Sequence, residues 1–213
     1  MGKGNVLIDG IYTFSNVILR LLYINVLWIV FSLLGLVVLG FFPATVAMFT
    51  VMRKWQLDEF GFRVFETFWD TYKKQLLKAN LLGYSLSFIG VILAADLLYL
   101  QNATHSFLQV LYFPVLAFSF LYVLSLLFVF PIYVHYEVKG FNILKNAFFI
   151  SIITPFATFK MVIGLLLILY LFTVFPGAII LFIGSIPSYF MMRIGNSAFT
   201  TFERKRATMV KGT

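Results

Sequence analysis

The side chains that could do chemistry in this chain are few, and the sequence keeps them apart. The 213 residues include two histidines and eight acidic residues, and they include no cysteine. A metal site needs several convergent ligands, and a phosphate-binding loop needs a Gly-x-x-x-x-Gly-Lys-Ser/Thr segment; the sequence has neither pattern. His105 and His135 lie at opposite ends of one apolar run, so they cannot share a site. We therefore predict that the protein is not an enzyme and binds no cofactor.

The candidate functional residues are instead polar groups in or beside apolar runs, where a central charge costs on the order of 2.5–3.5 kcal/mol. Asn25 and Asn196 could bond across helices or serve a ligand site, with plain helix packing as the alternative. Asp96 lies about one turn from the end of its run, where it either reaches water or serves a site. Arg53 and His135 also lie at the ends of apolar runs. The Arg53 side chain can extend to the lipid headgroups. His135 either has a pH-sensitive role or simply lies at a solvated helix end. The other candidates, for function or packing, are Trp28, Pro43 and Trp55.

The composition places all of these residues in a membrane protein. Hydrophobic residues make up 62% of the chain and charged residues 11%, whereas a soluble domain has roughly 45–50% and about 25%. The apolar runs are spread evenly, so we expect one all-α, polytopic membrane domain over residues 1–213. The net charge of +8 lies at the ends of apolar runs, which indicates topology signals rather than a nucleic-acid surface.

Six apolar segments are predicted to cross the membrane as three hairpins. They cover residues 17–39, 43–55, 79–100, 107–136, 156–175 and 178–199. The second segment, from Pro43 to Trp55, is short for a full span, so it either thins the bilayer or is re-entrant. Phe62 to Lys78 has an aromatic face and a charged face, which predicts an amphipathic helix lying in the membrane interface. Residues 141–153 show a weaker version of the same pattern.

The distribution of basic residues sets the predicted orientation. Basic residues of short loops stay in the cytoplasm, and residues 53–78 contain six of them, whereas residues 101–106 contain none. We therefore expect residues 53–78 and both termini in the cytoplasm, with the protein in a bacterial plasma membrane.

Several short motifs carry a family resemblance. They are Asn25-x-x-Trp28, Pro43-Ala44-Thr45-x-Ala47, Val51-x-Arg53-Lys54-Trp55, and Phe65-x-x-Phe68 followed by Tyr72-Lys73-Lys74-Gln75. In these motifs the chain resembles the YesL family of bacterial integral membrane proteins, most strongly from about Asn25 to Asn80. One departure is that the family usually has Gly directly before the Pro, where this chain has Phe42, with Gly40 three residues before Pro43.

The resemblance implies no established activity, but it implies an association with carbohydrate uptake and degradation systems. We therefore expect a non-enzymatic accessory or regulatory membrane protein that contacts a sugar permease or a sensor kinase. The alternative is a small oligomeric transporter or channel in which Asn25, Asp96 and Asn196 line a path. The expected partners are the lipid bilayer, other membrane proteins and a second copy of the chain, and nucleic acid is not expected.

Overall fold

The computed structural model describes residues 3–57, 61–103, 105–136, 140 and 142–211, and these residues form eight α-helices. In chain order they are α1 (Lys3–Leu34), α2 (Phe41–Gln56), α3 (Val64–Gln101), α4 (Ser106–Tyr136), α5 (Asn142–Ile153), α6 (Pro155–Val174), α7 (Pro176–Phe182) and α8 (Ser185–Lys211). The predicted class, an all-helical membrane protein, is confirmed.

Four helical segments among the described residues are long and apolar enough to cross a membrane. They are Tyr12–Leu34, Val64–Gln101, Phe107–Tyr136 and Pro155–Val174. A fifth span results if α7 and α8 cross together as one bent pair. Helix α2 has 16 residues, or about 24 Å, which is shorter than a hydrocarbon core of about 30 Å. Six full spans and two cytoplasmic termini therefore stay a prediction.

Helix α3 joins two elements that the sequence analysis separates. The predicted interfacial helix at 62–78 and the predicted span at 79–100 form one helix of 38 residues, because residues 64–82 contain neither Gly nor Pro. The aromatic face of its first half packs on Phe31 of α1, whose ring centroid lies 5.3 Å from that of Phe68 and 5.1 Å from that of Tyr72. Phe68 is fully buried. This half of α3 is therefore part of the protein core.

Hydrogen bonds fix the height of α3 relative to α1. The Tyr72 hydroxyl donates to the backbone oxygen of Phe31 at 3.2 Å, and the Tyr84 hydroxyl donates to the backbone oxygen of Val38. The turn between α1 and α2 is thus level with the middle of α3. The rest of α3, from Tyr84 to Gln101, extends about 26 Å beyond that turn at 1.5 Å per residue, beside α4.

The core consists of two hydrophobic clusters. The first lies between α1, α2 and the first half of α3, with Met52 and Phe68 fully buried. The second lies between α4, α5 and α8, with Phe128 and Phe199 fully buried. Tyr133 packs against both clusters. Its position on α4 therefore ties the two halves of the core together.

The last predicted span, residues 178–199, is interrupted. Helices α7 and α8 meet at Ile183–Gly184 with a bend of 66°. Pro187 explains why the helix restarts where it does, since Pro lacks a backbone N–H and is tolerated in the first turn of a helix but not in its interior. Helix α8 begins two residues before it, at Ser185.

The turn between α1 and α2 brings two stretches of backbone into contact. A Cβ atom added to Gly40 would lie 2.5 Å from the backbone oxygen of Ser32 and 2.6 Å from that of Phe31, far inside normal contact distance. Leu36 and Val37 in the same turn have positive φ angles of 53° and 64°, a conformation that costs non-glycine residues about 1–3 kcal/mol. Only glycine fits at position 40.

We predict that Gly40→Ala destabilises the protein by about 1–3 kcal/mol, because the new methyl group forces the turn apart. The change should appear as a lower midpoint of thermal unfolding in detergent. The matched control is Gly177→Ala, where an added Cβ atom meets nothing within 4 Å. Equal midpoints for the two variants would contradict the close approach described for the turn.

The orientation can be tested with single cysteines, because the chain has none of its own. Cysteines placed at Ala103 and Phe175 are expected to react with a membrane-impermeant maleimide in intact cells. A cysteine at Gly61 should react only after the membrane is permeabilised, because the basic segment 53–78 is predicted to be cytoplasmic. Labelling of Gly61→Cys in intact cells would overturn this orientation.

Candidate functional site

The Asn25 side chain is bonded to the break between α7 and α8. Its Nδ2 donates to the backbone oxygen of Ile180 at 3.0 Å, and its Oδ1 accepts from the backbone N–H groups of Gly184 at 2.9 Å and Ser185 at 3.3 Å. Asn25 is fully buried. A helix break inside a membrane protein leaves backbone groups without their helical partners, and each such group must be satisfied by the protein. The amide of Asn25 supplies these partners at the break.

Trp28 lies one turn after Asn25 on the same face of α1 and connects it to α2. Its Nε1 donates to Thr45 Oγ1 at 3.0 Å, and that hydroxyl donates to the backbone oxygen of Phe41 at 2.7 Å. A Cβ atom on Gly184 would lie 3.1 Å from the Trp28 ring and 3.2 Å from Asn25 Oδ1. The two residues of the Asn25-x-x-Trp28 motif therefore connect α1 both to α2 and to the α7–α8 break.

Pro43 starts the helix that receives this contact. It lies in the first turn of α2, two residues before Thr45, and it is buried. Pro is well suited to a first helical turn, because its fixed φ angle is helical and its missing N–H has no helical partner there. Pro43 thus has a structural role in placing Thr45 beneath Trp28.

A second polar centre lies where the C-terminal ends of α2 and α4 meet the middle of α8. Within the described part of the chain, Arg53 Nε, His135 Nδ1 and Asn196 Oδ1 are buried and have no hydrogen-bond partner. The His135 ring packs against Phe199 with centroids 4.6 Å apart, and its charged neighbours are Arg53 and Glu203. Buried polar atoms normally find a partner, so these three atoms mark this centre as a candidate site.

Trp55 and Gln56 border the second centre on the α2 side. Gln56 Nε2 donates to the backbone oxygen of Tyr189 at 2.8 Å, and Asn196 Nδ2 donates to Gln56 Oε1 at 3.3 Å. The Trp55 ring lies 5.2 Å from that of Tyr189, and the guanidinium of Arg20 lies 5.0 Å from the Trp55 ring centroid. These contacts make Trp55 part of the packing between α1, α2 and α8.

Asp96 lies apart from both centres. It is exposed on the part of α3 that extends beyond the α1–α2 turn, five residues before the helix ends at Gln101. The structure therefore brings Asn25 with Trp28 and Pro43 to one place, and Arg53, Trp55, His135 and Asn196 to another. It does not place Asn25, Asp96 and Asn196 along one path in a single chain.

The two centres differ in what they can do. The Asn25, Trp28 and Thr45 side chains of the first are used in hydrogen bonds that hold helices together, whereas Arg53, His135 and Asn196 of the second each retain an unpaired atom among the described residues. In the part of the chain that the structure describes, no group of three His, Cys, Asp or Glu side chains could hold a metal ion. Sequence reasoning does not name Thr45, Gln56 and Gly184 as site residues, because their partners lie on other helices.

We predict that Asn25→Ala destabilises the protein by about 1–3 kcal/mol, because it leaves buried backbone groups at the α7–α8 break unpaired. The measurement is the unfolding midpoint in detergent. Asn102→Ala serves as the control, since Asn102 is exposed and its amide only donates to the backbone oxygen of Leu98 at the end of α3. An Asn25 variant as stable as the Asn102 variant would mean that the amide does not stabilise the break.

Comparison with known proteins places the chain in a family. The family model described as "Protein of unknown function, DUF624" matches residues 21–97, which include Asn25, Trp28, Pro43, Arg53 and Asp96. No solved structure matches the chain.

Three similar proteins come from Bacillus subtilis (strain 168), and each is described as uncharacterized. YteU is 39% identical over 181 residues, which cover 85% of this chain and 81% of YteU. YesV is 34% identical over 171 residues, covering 80% of this chain and 82% of YesV. YesL is 33% identical over 198 residues, covering 93% of each. The resemblance that the motifs suggest is confirmed, and this chain, which carries the DUF624 region at residues 21–97, belongs to the YesL family of membrane proteins.

Proposed function

We propose that this protein is a non-enzymatic accessory or regulatory protein of a bacterial carbohydrate-uptake system. In this proposal it acts in the plasma membrane, with both termini in the cytoplasm, through helix contacts with a sugar permease or a sensor kinase. The carbohydrate association follows from the family resemblance in the sequence motifs. The mode of action rests on one observation, the unpartnered apolar hairpin that α3 and α4 form beyond the α1–α2 turn.

The hairpin has large apolar side chains that no other described residue covers. Phe88, Leu98, Phe107 and Phe113 are between 63% and 74% exposed, and among the described residues from 87 to 121 only Leu100 is buried. Lipid can cover such a face, but lipid alone does not explain the small residues and the carboxylate that lie on it.

The small residues and the carboxylate on the hairpin favour a protein partner. Ala94 and Ala95 are small and exposed on α3, and small residues let a second helix approach closely. Asp96 follows directly and is the only charged residue from 79 to 101. A carboxylate on a lipid-facing helix is costly, and a hydrogen-bond donor on a neighbouring helix would offset that cost. The segment from Ala94 to Asp96 is therefore the proposed contact with the partner.

The polar interior supports the same proposal. The Asn25 amide is bonded on both of its polar atoms to the α7–α8 break, and Asn196 donates to Gln56. Neither side chain points along a shared path with Asp96. A transport path within one chain would need these groups to line it.

One observation favours the alternative, a small transporter. Helix α7–α8 is discontinuous, and Ser185 Oγ at the break is buried without a hydrogen-bond partner among the described residues. Discontinuous helices form the substrate sites of many secondary transporters. A flux measurement on proteoliposomes separates the two functions, because the accessory role predicts no sugar flux from the pure protein.

We predict that Ala94→Phe weakens recovery of the permease or kinase with this protein about ten-fold, because the larger side chain keeps the partner helix away from α3. The experiment is quantitative co-purification after mild solubilisation, together with sugar uptake in cells that lack the native gene. Leu169→Phe is the control, since Leu169 is 56% exposed on α6 and lies outside the hairpin. Recovery of the protein alone, with normal sugar uptake in its absence, would refute the proposal.

A further inference from the structure

An apolar groove of about 450 Å³ runs between α3, the end of α4 and the start of α5. Lys78, Leu82, Ser85 and Ile89 line it on α3, and Leu144 lines it on α5. The α3 residues recur every three or four positions, so they lie on one helix face. From Lys78 to Ile89 the groove wall is about 16 Å long.

The chemistry of the groove is that of an amphiphile site. Lys78 is the only charged residue among the described residues that line it. The Tyr133 hydroxyl, also in the wall, donates to Gln75 Oε1 at 2.7 Å, so its proton is already used. The groove therefore has a cation at one end and an apolar length behind it, which matches an anionic head followed by a hydrocarbon chain.

With residues 79–100 of α3 as the membrane span, the groove lies in the bilayer. Lys78 is the last charged residue before the apolar half of α3, in which Asp96 is the one charge up to Gln101. In that span Lys78 lies at headgroup depth, and Ile89, about 16 Å further along, lies in the hydrocarbon. The membrane itself brings a ligand of this chemistry to the groove.

We propose that the groove binds an anionic glycerophospholipid. The phosphate pairs with the Lys78 ammonium, and one acyl chain lies between α3 and α5 against Leu82 and Leu144. Basic pockets between membrane helices bind anionic headgroups in this way. The site is separate from the hairpin contact of the proposed function and does not depend on it.

Native mass spectrometry of the detergent-solubilised protein tests the site. The protein is given equal amounts of phosphatidylglycerol and phosphatidylcholine of the same chain length. We expect the wild type to retain one phosphatidylglycerol in preference to phosphatidylcholine. Lys78→Gln should lower that preference about five-fold, the contribution of one basic residue near an anionic lipid. Ser85→Trp should abolish retention, because Ser85 is exposed in the groove wall and the indole fills the groove.

Two control variants match these changes. Lys160→Gln removes an exposed lysine near the start of α6, and Val91→Trp adds an indole to α3 at an exposed position outside the groove. Both should retain phosphatidylglycerol like the wild type. The proposal is overturned if the wild type retains no phospholipid, if it retains a free fatty acid instead, or if Lys78→Gln keeps the full preference. Since Lys78→Gln leaves the groove walls intact, it decides the question even if Ser85→Trp does not fold.

Discussion

The fold depends on the hydrogen bonds between Asn25 and the break in the last helix. Within a bilayer no water is present to satisfy freed backbone groups, so a discontinuous helix requires a polar side chain from elsewhere in the chain. Asn25 provides a donor and an acceptor on one planar amide, and both are used at the α7–α8 break. One turn further, Trp28 binds Thr45 of α2. The two residues fix α1, α2 and α8 relative to each other, and the second polar centre forms where α2 and α8 then meet α4.

The parts that the sequence predicts well are those that depend on local patterns. The spans predicted from the apolar runs, 107–136 and 156–175, agree within one residue at each end with α4 (106–136) and α6 (155–174). The buried face of the first half of α3 follows from helical periodicity, since Phe68 and Tyr72 are both buried. Asn25 stands out as a candidate because an amide is unusual in an apolar run, and Trp28 belongs to the same family motif.

The parts that the sequence does not predict depend on distant partners. The backbone oxygen that Asn25 binds is 155 positions away along the chain, and no local sequence pattern predicts that contact. The sequence does not predict that α3 is continuous, because a change from amphipathic to apolar composition is typical of a boundary between two helices, although helix-forming residues continue through it. The unpaired atoms of Arg53, His135 and Asn196 come from three helices, so only the packing shows that they share a centre.

The height of α3 relative to α1 has a consequence for the surrounding membrane. The apolar segment Tyr12–Leu34 of α1 lies beside the amphipathic half of α3, whereas the apolar half of α3 begins at Ala79. The two apolar belts are displaced along the helix axes, and together they are taller than a hydrocarbon core of about 30 Å. Each belt has 23 residues, or about 33 Å, and one follows the other along the axis, so helix tilt and local thickening do not cover the difference. One bilayer therefore cannot hold both belts in full, and the part that lies outside the hydrocarbon is an exposed apolar surface of the kind that marks contact with another protein.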